Sequence, residues 1–405
     1  MLVSVRNSAI FPEQIVVVGG GRWARVLTGV LCGFVDPSVK ILLQTSHNTD
    51  SMSLWITRQN FKQDIVVTSK WPDVNPELTA AIIVVNAARD HEKTIERALE
   101  AKIPILVEKP VTFSENATKR LVNLANDYNV PFFSAHIFLF ASYLKNFFLL
   151  IPKIEKVQCI RFNWMDPKIE SRYGEKKQYD SGLPIYADWL PHIVSIVSIF
   201  TSHLSTACKS LKYKRGGAHL NIELMLGDIP CYIELIRDCD HRSRLIEVTT
   251  DKENYKLDFS TEPGTITYNK TEIIGDFDWR ESQRPAAQML TAFLKCATGG
   301  DVDERLSIEV GLSANTAIDQ VSILYDLSLN KFLVDKFSVP LIIDDDLRYA
   351  LKEILSSEGP LSEDIFDMQV QQILAYSIQS KTSDWFEKLN NITSMKEAVR
   401  SIIQK

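Results

Sequence analysis

The chain is poor in the features that mark several large functional classes. Six cysteines (Cys32, Cys159, Cys208, Cys231, Cys239 and Cys296) are scattered through 405 residues, and no C-x-x-C pair occurs. That argues against a disulfide framework and against any metal site, and reads as free thiols in a reducing cytoplasm. Basic residues are not in excess: 45 Lys and Arg face 51 Asp and Glu, for a net charge of −6. A nucleic-acid binder would show a basic stripe, so no nucleic-acid partner is expected. No apolar run reaches membrane-span length, and residues 1–13 lack the apolar stretch of a signal peptide. The expectation is a cytoplasmic protein with no membrane partner. Internal repeats and low-complexity tracts are also lacking.

What is present is a rhythm. The β-branched run Gln14–Val18 ends in three glycines, and a helical pattern follows from Trp23 to about Gly33. Apolar runs at 39–43, 65–67, 80–85, 103–107 and 130–133 alternate with helical patterns at 91–101 and 114–126. Such alternation implies right-handed βαβ units and a parallel sheet. After about residue 134, strands at 156–164, 218–226, 230–236, 243–250, 254–258 and 265–268 follow in close succession, split by turn signals such as Gly227-Asp228 and Pro263-Gly264. Helices at about 184–201, 283–298 and 307–328 are expected to cover one face of this second sheet. The fold class is therefore α/β: a Rossmann doubly wound parallel sheet over 12–133, an α+β substrate domain with a mostly antiparallel sheet over 134–330, and a helical C-terminal extension over 331–405.

Gly19-x-Gly21-x-x-Ala24 fits the dinucleotide fingerprint in its required place, after a strand and before a helix. The first glycine permits the tight turn, the second lets backbone approach a pyrophosphate at the helix N-terminus, and the small third residue lets helix and strand pack closely. Arg22 and Trp23 lie inside the same turn. The second strand runs into Gln44-Thr45-Ser46-His47-Asn48, with no acid until Asp50. An acid there would bond the ribose 2′-hydroxyl and repel a 2′-phosphate. Ser46 and His47 instead offer donors, and Arg22 is within reach of the same side. NADP(H) is the preferred cofactor, with NAD(H) the alternative if Asp50 folds back to the ribose.

Residues 81–112 carry a family resemblance. Ile82–Asn86 leads into Arg89-Asp90-His91 and a helix, then into Ile105-Leu106-Val107-Glu108-Lys109-Pro110. This resembles the glucose–fructose oxidoreductase / inositol dehydrogenase (Gfo/Idh/MocA) family, over about residues 14–325. The resemblance implies that Lys109 sits beside nicotinamide and substrate and polarises or protonates the reacting oxygen. Glu108 and Pro110 would shape the turn, and Asn86, His91 and Glu108 would lie along the cofactor. A second signature of that family, an aspartate followed four residues later by a histidine, matches Asp188 and His192. On a helix these share one face, and a histidine near a carboxylate and a lysine suits acid/base work. Pro191 between them is unusual and is expected to disturb that spacing.

Weaker candidates are His136, which faces substrate or is structural, and Tyr179 in the polar loop before Asp188. His91 caps its helix or contacts the cofactor ribose. The resemblance implies an oxidoreductase passing a hydride between nicotinamide and a carbonyl or alcohol of a sugar, a nucleotide-linked keto-sugar or a cyclitol, in a dimer or tetramer. Two alternatives stay open: an imine reductase acting on an intermediate tethered to a carrier protein, and a nucleotide-binding sensor or scaffold without turnover.

Overall fold

The computed structural model describes residues 13–337 other than 168–169, 173, 177–183, 202, 215–216 and 281–283. Ile15, Val16, Val17 and Val18 of β1 (Gln14–Val18) are all buried. A strand that is apolar on both faces belongs inside a parallel sheet with helices on each side. β1 pairs in parallel with β2 (Lys40–Gln44) and β4 (Thr79–Val84), and the whole sheet runs β3-β2-β1-β4-β5-β6. β3 is Ile65–Thr68, β5 is Ile105–Val107 and β6 is Phe132–Ser134. The order reverses between β1 and β4, and ligands of such sheets bind where it does, outside the carboxyl ends of the strands.

Helices α1 (Arg22–Cys32), α2 (Thr49–Thr57), α3 (His91–Glu100) and α4 (Glu115–Tyr128) link these strands. The Ser114 hydroxyl caps α4 by accepting from the Ala117 amide, and Asn129 ends it in the left-handed conformation. After β6 a short helix, α5 (Ser142–Leu149), leads to the second sheet.

That sheet has eight strands, in the order β10-β11-β12-β7-β13-β14-β15-β16. They are β7 (Val157–Pro167), β10 (Thr206–Lys214), β11 (His219–Leu226), β12 (Ile229–Cys239), β13 (Ser243–Thr250), β14 (Asn254–Asp258), β15 (Thr265–Tyr268) and β16 (Thr271–Ile274). All pairs are antiparallel except β7 with β12. Period-two alternation puts Ile160, Phe162 and Trp164 of β7, and Ile246 and Val248 of β13, on one buried face. Helices α6 (Ile185–Val197) and α8 (Ile308–Phe337) cover that face. β10, β16 and a small hairpin, β8 (Ser171–Arg172) with β9 (Glu175–Lys176), are additions to the strands read from the sequence.

One helix goes elsewhere than expected. α7 (Pro285–Ala297) does not cover the second sheet. Its Ala286, Met289, Leu290 and Phe293 join the core formed by Leu27, Leu31 and Ile83 of the parallel-sheet layer. The chain thus returns to its first domain before its last described helix. α8 then bridges both layers. A side chain at Gly311 would lie 2.9 Å from Ser134 and Val111, so only glycine permits this approach. Further along, Asn315 donates to the Thr112 carbonyl, and Tyr325 packs on Tyr186 and Tyr213. α8 runs through residue 330 to Phe337, and the rest of the expected C-terminal extension, 338–405, lies outside the described residues. Among the described residues no helix is long and apolar enough to cross a membrane.

Candidate active site

The glycine turn lies at the carboxyl end of β1. Gly19, at φ +155°, presses on the Val85 carbonyl, where an added Cβ would come within 2.7 Å. A Cβ on Gly20 would overlap the Thr45 hydroxyl. At Gly21 an added Cβ would meet nothing within 4 Å, and Gly21 caps α1 with no side-chain acceptor. No side chain caps the first turn of α1, and the space beside Gly21 is open, which suits a pyrophosphate at the helix N-terminus. Ala24 is fully buried beneath the turn. The residues present fit a dinucleotide. Beyond β2, Ser46 and His47 are exposed, and Asn48 turns inward to donate to the Gly20 carbonyl at 3.0 Å.

Arg22 does not reach toward Ser46. Its guanidinium donates to the Arg172 carbonyl at 3.0 Å, and Arg25 pairs with Glu175 at 2.8 Å. Both contacts tie the β8–β9 hairpin to the glycine turn. Trp23 donates its indole N–H to Glu108, whose other oxygen accepts from the Lys109 amide at 3.1 Å. Glu108 thereby joins the glycine turn to the end of β5. Burial raises its carboxyl above the usual range, against the opposing pull of the Lys109 charge and the Trp23 hydrogen bond.

Lys109 and Asp188 meet, although they lie on different sheet layers. Lys109 Nζ is 2.5 Å from Asp188 Oδ1 and 2.8 Å from the Asp188 carbonyl. Arg237, from β12, donates to Asp188 Oδ2 at 3.2 Å. Helix α6 continues through Pro191. The proline lacks the amide that would bond the Ala187 carbonyl, and at the neighbouring carbonyl Lys109 is the donor. With the helix continuous, Asp188 and His192 line the same cavity.

His192 stands against Phe138 and Trp164, at 4.8 and 6.1 Å between ring centres. Desolvation, followed by the Lys109 charge, holds its pKa well below the ordinary value. It is a neutral imidazole at pH 7, and its Nδ1 has no protein partner. His136 lies behind the cavity wall at 1% exposure, with neither ring nitrogen bonded, and burial pushes its pKa down to about 3. It is not among the cavity-lining residues, which corrects the substrate-facing reading. His91 does not cap α3, whose cap position is Asp90, and it lines the cavity. Its Nδ1 is 2.8 Å from the Pro110 carbonyl and its Nε2 is 3.1 Å from the Asn86 carbonyl. Asn86 donates to Thr94 at 2.9 Å. Tyr179 lies outside the described residues.

These groups surround a cavity of about 300 Å³ between the two sheet layers. The sequence reading missed much of its wall. Arg172 pairs with Glu262 at 2.9 Å and Arg242 with Glu170 at 3.2 Å. Arg244 pairs with the fully buried Asp166 and lies 4.8 Å above the Trp189 ring. Burial lowers the Arg242 pKa to about 10. A signal was present in the strands. Cys231, Ile233, Leu235 and Arg237 share one register on β12, so the arginine extends an apolar, inward series.

Residues 14–136 match the Gfo/Idh/MocA model, described as an oxidoreductase family with an NAD-binding Rossmann fold. The N-terminal domain is that of a Gfo/Idh/MocA oxidoreductase. The cofactor class is thus NAD(P) and the enzyme class NAD(P)-dependent oxidoreductase. No curated protein matches the chain in sequence. The solved structures that share its fold include the following three. UDP-N-acetylglucosamine 3-dehydrogenase from Acidithiobacillus ferrooxidans is 14% identical, with a TM-score of 0.62 over 78% of this chain and 98% of that one. Myo-inositol 2-dehydrogenase from Lactobacillus plantarum is 14% identical, with a TM-score of 0.58 over 78% and 98%. Biliverdin reductase from Synechocystis, in complex with biliverdin and NADP+, is 14% identical, with a TM-score of 0.57 over 78% and 98%.

Proposed function

We propose that this Gfo/Idh/MocA oxidoreductase interconverts an alcohol and a carbonyl on a sugar, a nucleotide-linked keto-sugar or a cyclitol, with NADP(H) as its preferred cofactor. The observation that carries the reading is the Lys109–Asp188 pair on the wall of the cavity that Arg22 and Trp23 of the glycine turn also line. When bound, the nicotinamide supplies or accepts the hydride. Gly21 and the first amides of α1 would hold its pyrophosphate, and Ser46 and His47 would face its adenosine ribose.

Lys109 gives its proton to the oxygen that becomes a hydroxyl in reduction, and takes it back in oxidation. Asp188 keeps the ammonium aimed and compensates its charge. His192, neutral, hydrogen-bonds the reacting oxygen or a neighbouring hydroxyl. The Arg172–Glu262 and Arg242–Glu170 pairs set donors beside acceptors around the cavity, which suits a ligand rich in hydroxyls. Two of the similar structures are named for enzymes acting on a nucleotide sugar and a cyclitol. The outer face of the second sheet, where Arg161 stacks on the exposed Tyr232, serves in this reading as the contact between two copies.

A panel of sugars, nucleotide sugars and cyclitols, followed by nicotinamide absorbance with each cofactor, tests the activity. Turnover of at least one is expected, and cofactor binding with no turnover across the panel would favour a sensor or scaffold. NADPH should bind about tenfold more tightly than NADH, or about 1.4 kcal/mol. Equal affinity, or a preference for NADH, overturns the NADP assignment and promotes Asp50 to the ribose ligand. Sedimentation at micromolar concentration should give a dimer or larger assembly, and a monomer would remove the role assigned to the outer sheet face.

A further inference from the structure

We infer that Arg237 is a positioning residue that governs how tightly Lys109 holds its proton, by sharing the Asp188 carboxylate with it. This rests on the oxidoreductase reading above, in which Lys109 manages the proton of the reacting oxygen. The geometry is a three-member array. Lys109 Nζ binds Asp188 Oδ1 at 2.5 Å, while Arg237 Nη2 binds Oδ2 of the same group at 3.2 Å. The Arg237 side chain is 1% exposed, against 13% for Lys109 and 18% for Asp188. Arg237 therefore stands behind the carboxylate, away from the open side of the cavity, and is absent from its lining. It touches Asp188 and acts through it.

The Arg237 guanidinium is a cation set directly against the Asp188 carboxylate. Asp188 thus answers two cations, Lys109 and Arg237, with one carboxylate. Arg237 therefore draws on the field that would otherwise hold the Lys109 proton alone. It also repels the ammonium directly. The device keeps Lys109 aimed at the cavity without locking it into a closed ion pair. Other charged and titratable groups face the array. Glu108 at the end of β5 and His192 on α6 face Lys109 and Asp188, and Tyr325 on α8 faces Arg237; behind these stand His136 and Arg244, beside His192, and Tyr186 and Asp326, beside Tyr325. Among these, Tyr325 has Arg237 as a charged neighbour and sits in a hydrogen bond with Tyr213. This connects the array to α8.

The test does not depend on knowing the substrate. The full chain is labelled with acetic anhydride across pH 6–11, and acetylation at Lys109 is followed by mass spectrometry. In Arg237→Met and Arg237→Gln the labelling transition at Lys109 should move up by about one pH unit, and labelling at pH 8 should fall about tenfold. Arg237→Lys, which restores a charge, should bring the transition back most of the way. A surface lysine such as Lys119 serves as the internal reference and should not change. A wild-type Lys109 profile in a folded neutral variant overturns the inference. So does failure of both neutral variants to fold, which would make Arg237 a residue of the core. Failure of the function reading looks different: no substrate turns over, while the Lys109 labelling still shifts.

Discussion

The two sheet layers build their halves of the site in opposite ways. In the parallel layer the working parts are backbone amides and chain ends: an open helix N-terminus at Gly21, and a lysine placed just beyond β5. In the second layer the working parts are charged side chains inside the sheet and its covering helix. Arg237, Arg244 and Asp166 point inward among Trp164, Ile233 and Ile246, and Asp188 meets Arg237 from α6. A backbone site needs a short local pattern. A side-chain site needs strands far apart in sequence to pair in register. The first kind accommodates a cofactor common to many enzymes, and the second kind is free to vary with the substrate.

The sharpest test of this contrast joins the halves. Lys109→Ala should reduce turnover by roughly 10²–10⁴ while nearly preserving cofactor affinity by fluorescence titration. Near wild-type turnover would place the chemistry elsewhere. Next in size is the buried pair of the second layer. Asp166→Ala leaves the Arg244 guanidinium, 5% exposed, without its carboxylate. It should cost about 3–5 kcal/mol in urea unfolding. A loss below 1 kcal/mol would mean that the inward charges are not structural.

His136 supplies a smaller effect on pH dependence. Its folded pKa of about 3 lies below the ordinary 6.5, so the unfolded chain takes up a proton that the folded chain refuses. Stability therefore falls as pH drops from about 6.5 toward 3, by up to about 1.4 kcal/mol per pH unit from this residue. His91 and His192, also lowered by burial, add in the same direction. His136→Leu should flatten the acid limb of a stability-versus-pH curve, and an unchanged limb would show that His136 is solvated. The smallest expected effect separates fold from binding at the glycine turn. Gly21→Ala meets no protein atom within 4 Å. Its melting temperature should stay within about 2 °C, a shift of well under 1 kcal/mol, while affinity for NADPH and NADH falls about tenfold. Gly19→Ala, pressed on the Val85 carbonyl, should lose stability as well. Equal behaviour of the two would remove the distinction between a packed and a ligand-facing glycine.

Legibility in the sequence follows the same division. Strands β13, β14 and β15 end at the residues that alternation and turn signals indicate. The glycine turn, Lys109, Asp188 and His192 were readable because each belongs to a motif or fixed spacing. The hairpin at 171–176 was not, because two-residue strands carry no period. The placement of α7 was not, because its apolar stripe fits either sheet equally well. Arg237 and Arg244 each extend the apolar series of their strands, but only the pairing of strands shows that they meet Asp188 and Asp166.

By itself the sequence determined the parallel layer, the position of the glycine turn and the class of chemistry, because these depend on local periodicity and on residues within a few turns of one another. Only the tertiary structure decided that Asp188 serves Lys109 and Arg237 together, that His136 lies behind the cavity wall, and that α7 returns to the first layer. Those outcomes depend on which buried faces meet across roughly 50 to 270 residues of chain, and no local pattern records that choice.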